Sequence, residues 1–123
     1  MVNEDGRWPT EGRLEYMRKA LGPGGVAVDP VPITAGEDVT VLYHGHLAEG
    51  GTGKVWLHAG YGHADNWQAV ADHPMEKTGW GWVKKFRVND ASRLNFCFRD
   101  DANRWDNNNG VNWSFEIHRG GLY

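Results

Sequence analysis

A single chain of 123 residues with a formal net charge of −3 fits one domain of ordinary size that can bury a real core. It lacks the clustered Lys and Arg that phosphate backbones and anionic lipids require, so nucleic acid and membrane are excluded as expected partners. Seven Trp in a chain only 40% hydrophobic concentrate the apolar matter in large rings, more than a core of this size needs. Cys97 stands alone inside an apolar segment, which rules out an intrachain disulfide and predicts a small core residue. No apolar run approaches a spanning helix, and Met1-Val2-Asn3-Glu4-Asp5 has neither the basic nor the apolar region of a signal peptide. A cytoplasmic location is the expectation.

Residues 1–32 differ from the rest: they are charged, then broken by Gly22-Pro23-Gly24-Gly25 and by Pro30 and Pro32. Leu14, Met17 and Leu21 recur at helical spacing, Glu15 and Lys19 form an i,i+4 pair, and Gly22 is placed to end the helix. A partly irregular N-terminal arm with a short helix is predicted, either strapped across the domain or contacting a second copy. From Glu37 the period changes to two. Val39, Val41 and Tyr43 alternate with Thr40, Leu42 and His44, and Val55, Leu57 and Ala59 with Trp56 and His58; Glu49-Gly50-Gly51-Thr52-Gly53 turns the chain between them. Trp80, Trp82, Phe86 and Val88 share a parity, Asn89-Asp90 turns, Leu94, Phe96 and Phe98 resume, and Trp113, Phe115 and Ile117 form a last strand. Five or more short strands joined by Gly/Asn/Asp turns, with no convincing helix after residue 32, predict an all-β antiparallel sandwich over residues 33–123.

That reading sorts the tryptophans. Trp80, Trp82 and Trp113 belong to strand patterns and are expected to pack in or on the sheets, whereas Trp67 and Trp105 sit in polar segments where a large ring needs a ligand or a lid. Trp105 is suspended among Asp100, Asp101, Asn103, Asp106, Asn107, Asn108 and Asn109. Aromatic planes flanked by carboxylates and amides suit a sugar, whose ring offers an apolar C–H face and a rim of hydroxyls. His58, nine positions before Trp67, adds a hydrogen bond or a second plane.

Three other chemistries share these residues. Asp100, Asp101 and Asp106 are the types a small glycoside hydrolase would use, though they cluster in one turn-rich loop. His44, His46, His58, His63 and His73 are zinc-type ligands without diagnostic spacing, and the Asp100–Gly110 loop offers calcium its preferred oxygens without the order of an EF-hand. No cofactor is expected, with calcium the one left open. Exposed Trp also suits a protein-protein interaction module, although an interface core would be more apolar.

The order Val39-Thr40-Val41-Leu42-Tyr43, Val55-Trp56-Leu57-His58-Ala59-Gly60, Trp67, Met75, Gly79-Trp80, Leu94-Asn95-Phe96-Cys97-Phe98-Arg99-Asp100 and Asn103-Arg104-Trp105-Asp106-Asn107-Asn108-Asn109-Gly110-Val111-Asn112-Trp113 resembles the starch-binding carbohydrate-binding modules of families 25 and 53. The likeness covers roughly residues 36–118, and its most specific part is Trp-Asp-Asn-Asn-Asn-Gly after a Phe-x-Phe-x-Asp strand. It implies an immunoglobulin-like sandwich that binds α-1,4-linked glucans (starch, glycogen, maltooligosaccharides) without catalysis. It also implies a contact trio of a histidine ending the second strand, a tryptophan in the loop that follows and the tryptophan of the Asn-rich loop, matched here by His58, Trp67 and Trp105. Asp106, Asn107 and Asn108 are assigned either to sugar hydroxyls or to shaping their own loop. Such modules usually adjoin an amylase or a starch synthase, for which this chain has no room, so a separate carbohydrate-active enzyme is an expected partner, as is a homodimer through the arm.

Overall fold

In a computed structural model that describes residues 11–49 and 53–119, the chain forms two β-sheets packed face to face, with one helix laid across the outside of the smaller sheet. The sandwich is the architecture that the period-two patterns predict. Residues 1–10 of the predicted arm and Gly50, Gly51 and Thr52 of the predicted turn lie outside the described residues.

The elements run in the order α1 (Glu11–Lys19), β1 (Val26–Asp29), β2 (Ile33–Thr34), β3 (Asp38–Tyr43), β4 (Val55–His63), β5 (Asn66–Pro74), β6 (Glu76–Thr78), β7 (Gly81–Arg87), β8 (Arg93–Asp100), β9 (Trp105–Asp106) and β10 (Trp113–His118). Short 3₁₀ turns occupy Pro23–Gly25 and His46–Glu49. The smaller sheet has the order β1-β3-β7-β6, and the larger one β2-β10-β8-β4-β5, with β9 added on β8. All pairings are antiparallel except β2 with β10.

Between the sheets, the inward residues of each strand close a core of Val39, Val41, Tyr43, Val55, Leu57, Leu94, Phe96 and Phe98, all essentially inaccessible to water. Phe96 stacks on its cross-strand partner Trp113 with centroids 5.9 Å apart and planes at 10°, and Tyr43 stacks on Phe98 at 3.9 Å and 19°. Trp82 and Trp113 are buried as expected from their parity. Trp80 is not in a strand: it occupies the turn between β6 and β7, half-buried against the cluster beneath α1.

In β3 and β7, burial departs from alternation, because Leu42 and Val83 point away from the core and are nevertheless buried. The helix explains it. Leu14 and Met17 of α1 close over Leu42, Val83 and Ala27, so both faces of this sheet are covered and polar alternation is no longer demanded. Arg13 bonds Asp29 at the end of β1, and Lys19 meets Glu15 at 3.5 Å, the predicted i,i+4 pair. Of the segment read as an arm, Val26–Asp29 is a strand of the sandwich, paired in register with β3 from Val26↔Tyr43 to Asp29↔Thr40.

The larger sheet positions everything that follows. On one edge of β8, β10 pairs with Arg93 to Phe96 and β9 with Phe98 and Arg99, while β4 occupies the other edge. β9 and β10 are therefore one strand line, interrupted by the Asn-rich segment 107–112, which is forced out as a loop at the sheet margin. The buried Cys97 lies in β8, and burial pushes its thiol up to about 12, so it remains an inert neutral group.

Candidate functional site

The face of the larger sheet opposite the core carries two cross-strand rows. Asp72 of β5, His58 of β4 and Cys97 of β8 form one; Trp56 of β4, Arg99 of β8 and Trp105 of β9 form the next. In the first row, Asp72 bonds His58 Nδ1 at 2.6 Å and accepts from an Arg99 guanidinium nitrogen at 3.3 Å. Partial burial alone would raise the Asp72 carboxyl, but the bonds and charges of His58 and Arg99 together outweigh it and hold it below the usual range. Asp72 is thus a carboxylate that fixes the orientation of the His58 ring. In the second row, the Arg99 guanidinium lies 4.5 Å from the Trp56 ring centre and 5.8 Å from that of Trp105, a cation–π bridge between the two indoles.

Trp67 reaches this face through a bulge. The sequence reading places it in a loop; it is in fact the second residue of β5, paired with Gly62. From Ala59↔Ala71 to Tyr61↔Gln68, two steps on β4 are matched by three on β5, and within the extra residue's span Ala69 has a left-handed φ of 51°. One inserted residue reverses the parity of everything before it. Without it, Trp67 would share the core-facing side of Ala71 and His73; with it, the indole stands on the side of His58. The strand beneath makes room, since a Cβ on Gly60 would come within 2.9 Å of both Trp67 Cβ and Val70 Cγ2. The indole Nε1 donates to the Ala64 carbonyl at 2.8 Å, which fixes the ring. Gly60→Ala is expected to cost about 1–3 kcal/mol by overpacking and to shift the Trp67 fluorescence; unchanged emission and unchanged Tm would show that the strand yields freely.

Trp105, 46% exposed, is held from below by a chain of buried polar contacts. Asp100, wholly buried, accepts from the Ala102 and Arg104 backbone N–H groups at 3.0 and 2.8 Å and from Arg104 Nε at 2.8 Å, closing the turn that aims β9 back along β8. Asp106 accepts from the Tyr43 hydroxyl with one carboxylate oxygen and from the Asn108 N–H at 3.1 Å with the other. Burial first, and then the Asp106 carboxylate, push the Tyr43 phenol far above its ordinary range, so it stays a donor. Asn107 Oδ1 accepts from the Gly110 N–H at 2.9 Å, and Asn108 Nδ2 donates to the Asn112 carbonyl at 3.3 Å. Asn108, Asn109 and Asn112 all adopt left-handed φ, between 57° and 61°. The loop-shaping role of Asp106, Asn107 and Asn108 is visible in these contacts.

His58, Trp67 and Trp105, far apart in sequence, meet on this open face. The His58 ring centre lies 6.0 Å from that of Trp67 with planes at 38°, and 5.1 Å from that of Trp105 with planes at 90°. The difference of these angles, 52°, is the least tilt the two indole planes can have to each other. The platform is bent. Trp56, Arg99 and Asp72 are neighbours that sequence reasoning did not single out. Trp56 shares its parity with His58 and was within reach of the pattern; Asp72 and Arg99 join only through strand pairing.

The histidines do not collect. His73 faces the other side, stacked on Phe86 at 4.9 Å, and its pKa is lowered chiefly by burial; His63 sits at the β4–β5 turn. Among the described residues, no three of His, Cys, Asp or Glu come together as metal ligands would.

No curated protein and no solved structure matches the chain. The model of the starch/carbohydrate-binding module, family 53, matches residues 39–96, a span that runs from β3 into β8 and includes Trp56, His58, Trp67 and Asp72. Residues 39–96, which lie within the two-sheet sandwich, are thus similar to a starch/carbohydrate-binding module of family 53.

Proposed function

We propose that the outer face of the larger sheet binds α-1,4-linked glucans without catalysis, with sugar rings stacked on Trp67 and Trp105 and His58 between them. The observation that carries this is the bend: two indoles tilted by 52° or more about one histidine, on an exposed surface. An α-1,4 chain curls, so successive glucose faces turn relative to one another and meet angled rings. A β-1,4 chain is a flat ribbon and wants its platforms nearly coplanar. Asp72 holds His58 through Nδ1, which directs Nε2 towards the ligand as a hydrogen-bonding group.

The non-catalytic reading is supported by the commitments of two of the three candidate carboxylates, Asp100 and Asp106. Asp100 is buried beneath its turn, and both oxygens of Asp106 are engaged. A hydrolase needs two free carboxyl groups across a cleft, roughly 5–10 Å apart. Affinity in the micromolar to millimolar range is expected as an order of magnitude, since hydroxyl contacts gain little over water and the rings supply the surplus.

Affinity electrophoresis through gels containing amylose, glycogen, cellulose or β-glucan tests the reading. Retardation by amylose and glycogen, released by maltoheptaose, is expected; retardation by cellulose alone would overturn it.

A further inference from the structure

Beyond Trp105, the bent platform runs into a cleft of about 610 Å³ that plays no part in the three-ring contact. One wall is His44, His46 and Glu49, at the end of β3 and in the 3₁₀ turn after it; the other is the Asn107–Asn109 segment; Trp105 stands at the shared rim. Its floor is bare backbone. Gly25 and Gly45 bring the start of β1 against the end of β3 so closely that a Cβ on Gly45 would lie 2.3 Å from the Gly24 carbonyl oxygen, and one on Gly25 would lie 2.5 Å from that of His44.

The lining excludes most ligand classes. It contains no Lys or Arg and two carboxylates, Glu49 and Asp106, which rules against phosphate or another anion. Trp105 is its one large apolar group, so a hydrophobic ligand finds little to cover. No metal-holding cluster occurs among the described residues. What is left is a neutral molecule rich in hydroxyls. The polar groups needed for one are present and differ from those of the loop interior. Asp106, Asn107 and Asn108 are engaged in holding the loop, whereas His44, His46 and Glu49 line one wall of the cleft and Asn109 the other.

We propose that this cleft is a second sugar subsite, which takes the glucosyl residues that continue past Trp105, with His46, Glu49 and Asn109 meeting their hydroxyls. The inference rests on the α-glucan reading of the platform. Of the two indoles, Trp105 alone lines the cleft, so a chain that runs along the platform from Trp67 and continues past Trp105 meets it next. The subsite therefore acts only on chains longer than the platform itself.

Calorimetric titration with maltotriose and maltoheptaose tests it, read as the ratio of the two affinities. In the unaltered protein, maltoheptaose is expected to bind roughly thirtyfold tighter than maltotriose, and in the His46→Ala/Glu49→Ala variant that ratio should fall to about three to five, the factor expected from the greater number of registers on a platform of two or three sugars. An unchanged ratio in the variant, or a ratio of about five or less in the unaltered protein, overturns the subsite. NMR of the unaltered protein supplies an arm independent of any variant: maltoheptaose should shift the His46 ring and Asn109 side-chain amide signals, and maltotriose mainly those of His58, Trp67 and Trp105. If maltoheptaose shifts the platform signals alone, the subsite falls and the platform stands; if neither sugar binds at all, both fall.

Discussion

Trp67→Ala and Trp105→Ala are each expected to release the protein from amylose and glycogen while leaving Tm within a few degrees of its original value. The size of the loss follows from what each ring does. Truncating an aromatic at the centre of a small contact costs about 2 kcal/mol or more, roughly thirtyfold in affinity. A binder that starts in the micromolar to millimolar range has little to spare, so either substitution takes it beyond retention on a gel. Stability should move much less. Trp105 is 46% exposed and stands on a two-residue strand at the margin, and Trp67 lies over the outside of β4 rather than between the sheets. Trp67→Ala should be the costlier of the two, because its indole Nε1 bond to Ala64 and its packing over Gly60 are lost with the ring. Normal binding by both variants would place the site elsewhere. Loss of binding accompanied by a large fall in Tm would show that the rings are structural.

Asp100→Ala is expected to lower stability by about 2–3 kcal/mol and to weaken glucan binding without removing any group that touches the ligand. Asp100 is fully buried and accepts hydrogen bonds from the Ala102 and Arg104 backbone N–H groups and from the Arg104 guanidinium. Bonds to a charged acceptor contribute about 1.5–3 kcal/mol each when broken singly, and losing several from one turn is not additive. The Arg104 side chain is half exposed and stays hydrated without Asp100, which keeps the total below the cost of stranding a buried charge. For a domain of this size the change is on the order of 10 °C in Tm. The consequence for binding arises because the same turn delivers Trp105 to its place beside Arg99. Circular dichroism melting and gel retardation on the same preparation check both halves. Unchanged Tm would mean that the turn closes without its carboxylate, and unchanged retardation would mean that Trp105 is placed by its pairing with Arg99 alone.

These two expectations differ in how they could be foreseen. The exposed status of Trp105 was legible from its polar neighbours, because a ring that cannot find apolar partners nearby in an Asn- and Asp-rich segment has no simple route into a core. The role of Asp100 was not. In the sequence it was one of several acidic residues in a loop and a candidate catalyst by type; only the burial of its side chain beneath the Arg104 turn separates it from the exposed Asp101 beside it. Type and position in the chain are the same for both. Their exposure is set by strand pairing several residues away, where Val55 meets Asp100 and the chain turns over Lys54.

Strand detection shows the same division. β3, β4, β8 and β10 were readable because each places apolar residues at every second position over five or more residues, and β7 because Trp82, Phe86 and Val88 keep the parity that Lys84 interrupts. β5 was missed: apart from Trp67 and Val70 it is mostly small or polar, and as an edge strand exposed along most of its length it has no apolar face to display. β1, β2, β6 and β9 are too short for a period to appear. Leu42 and Val83 face away from the core and are buried because α1 lies above them, which no pattern within β3 or β7 records.

The amino-acid sequence by itself determined the sandwich, the burial of Trp82 and Trp113, the short helix with its Glu15–Lys19 pair, and the exposed setting of Trp105. Each of these depends on residue type and on spacing within one segment, which local periodicity records. Tertiary structure alone decided that Trp67 stands beside His58. That placement depends on one extra residue at Ala69 reversing the parity of β5 against β4, and on a glycine at position 60 leaving space for the ring. A register between two strands is a property of neither strand's sequence taken singly; it is settled by the free energy of the whole pairing, and a single-residue bulge within it changes which face every preceding side chain occupies.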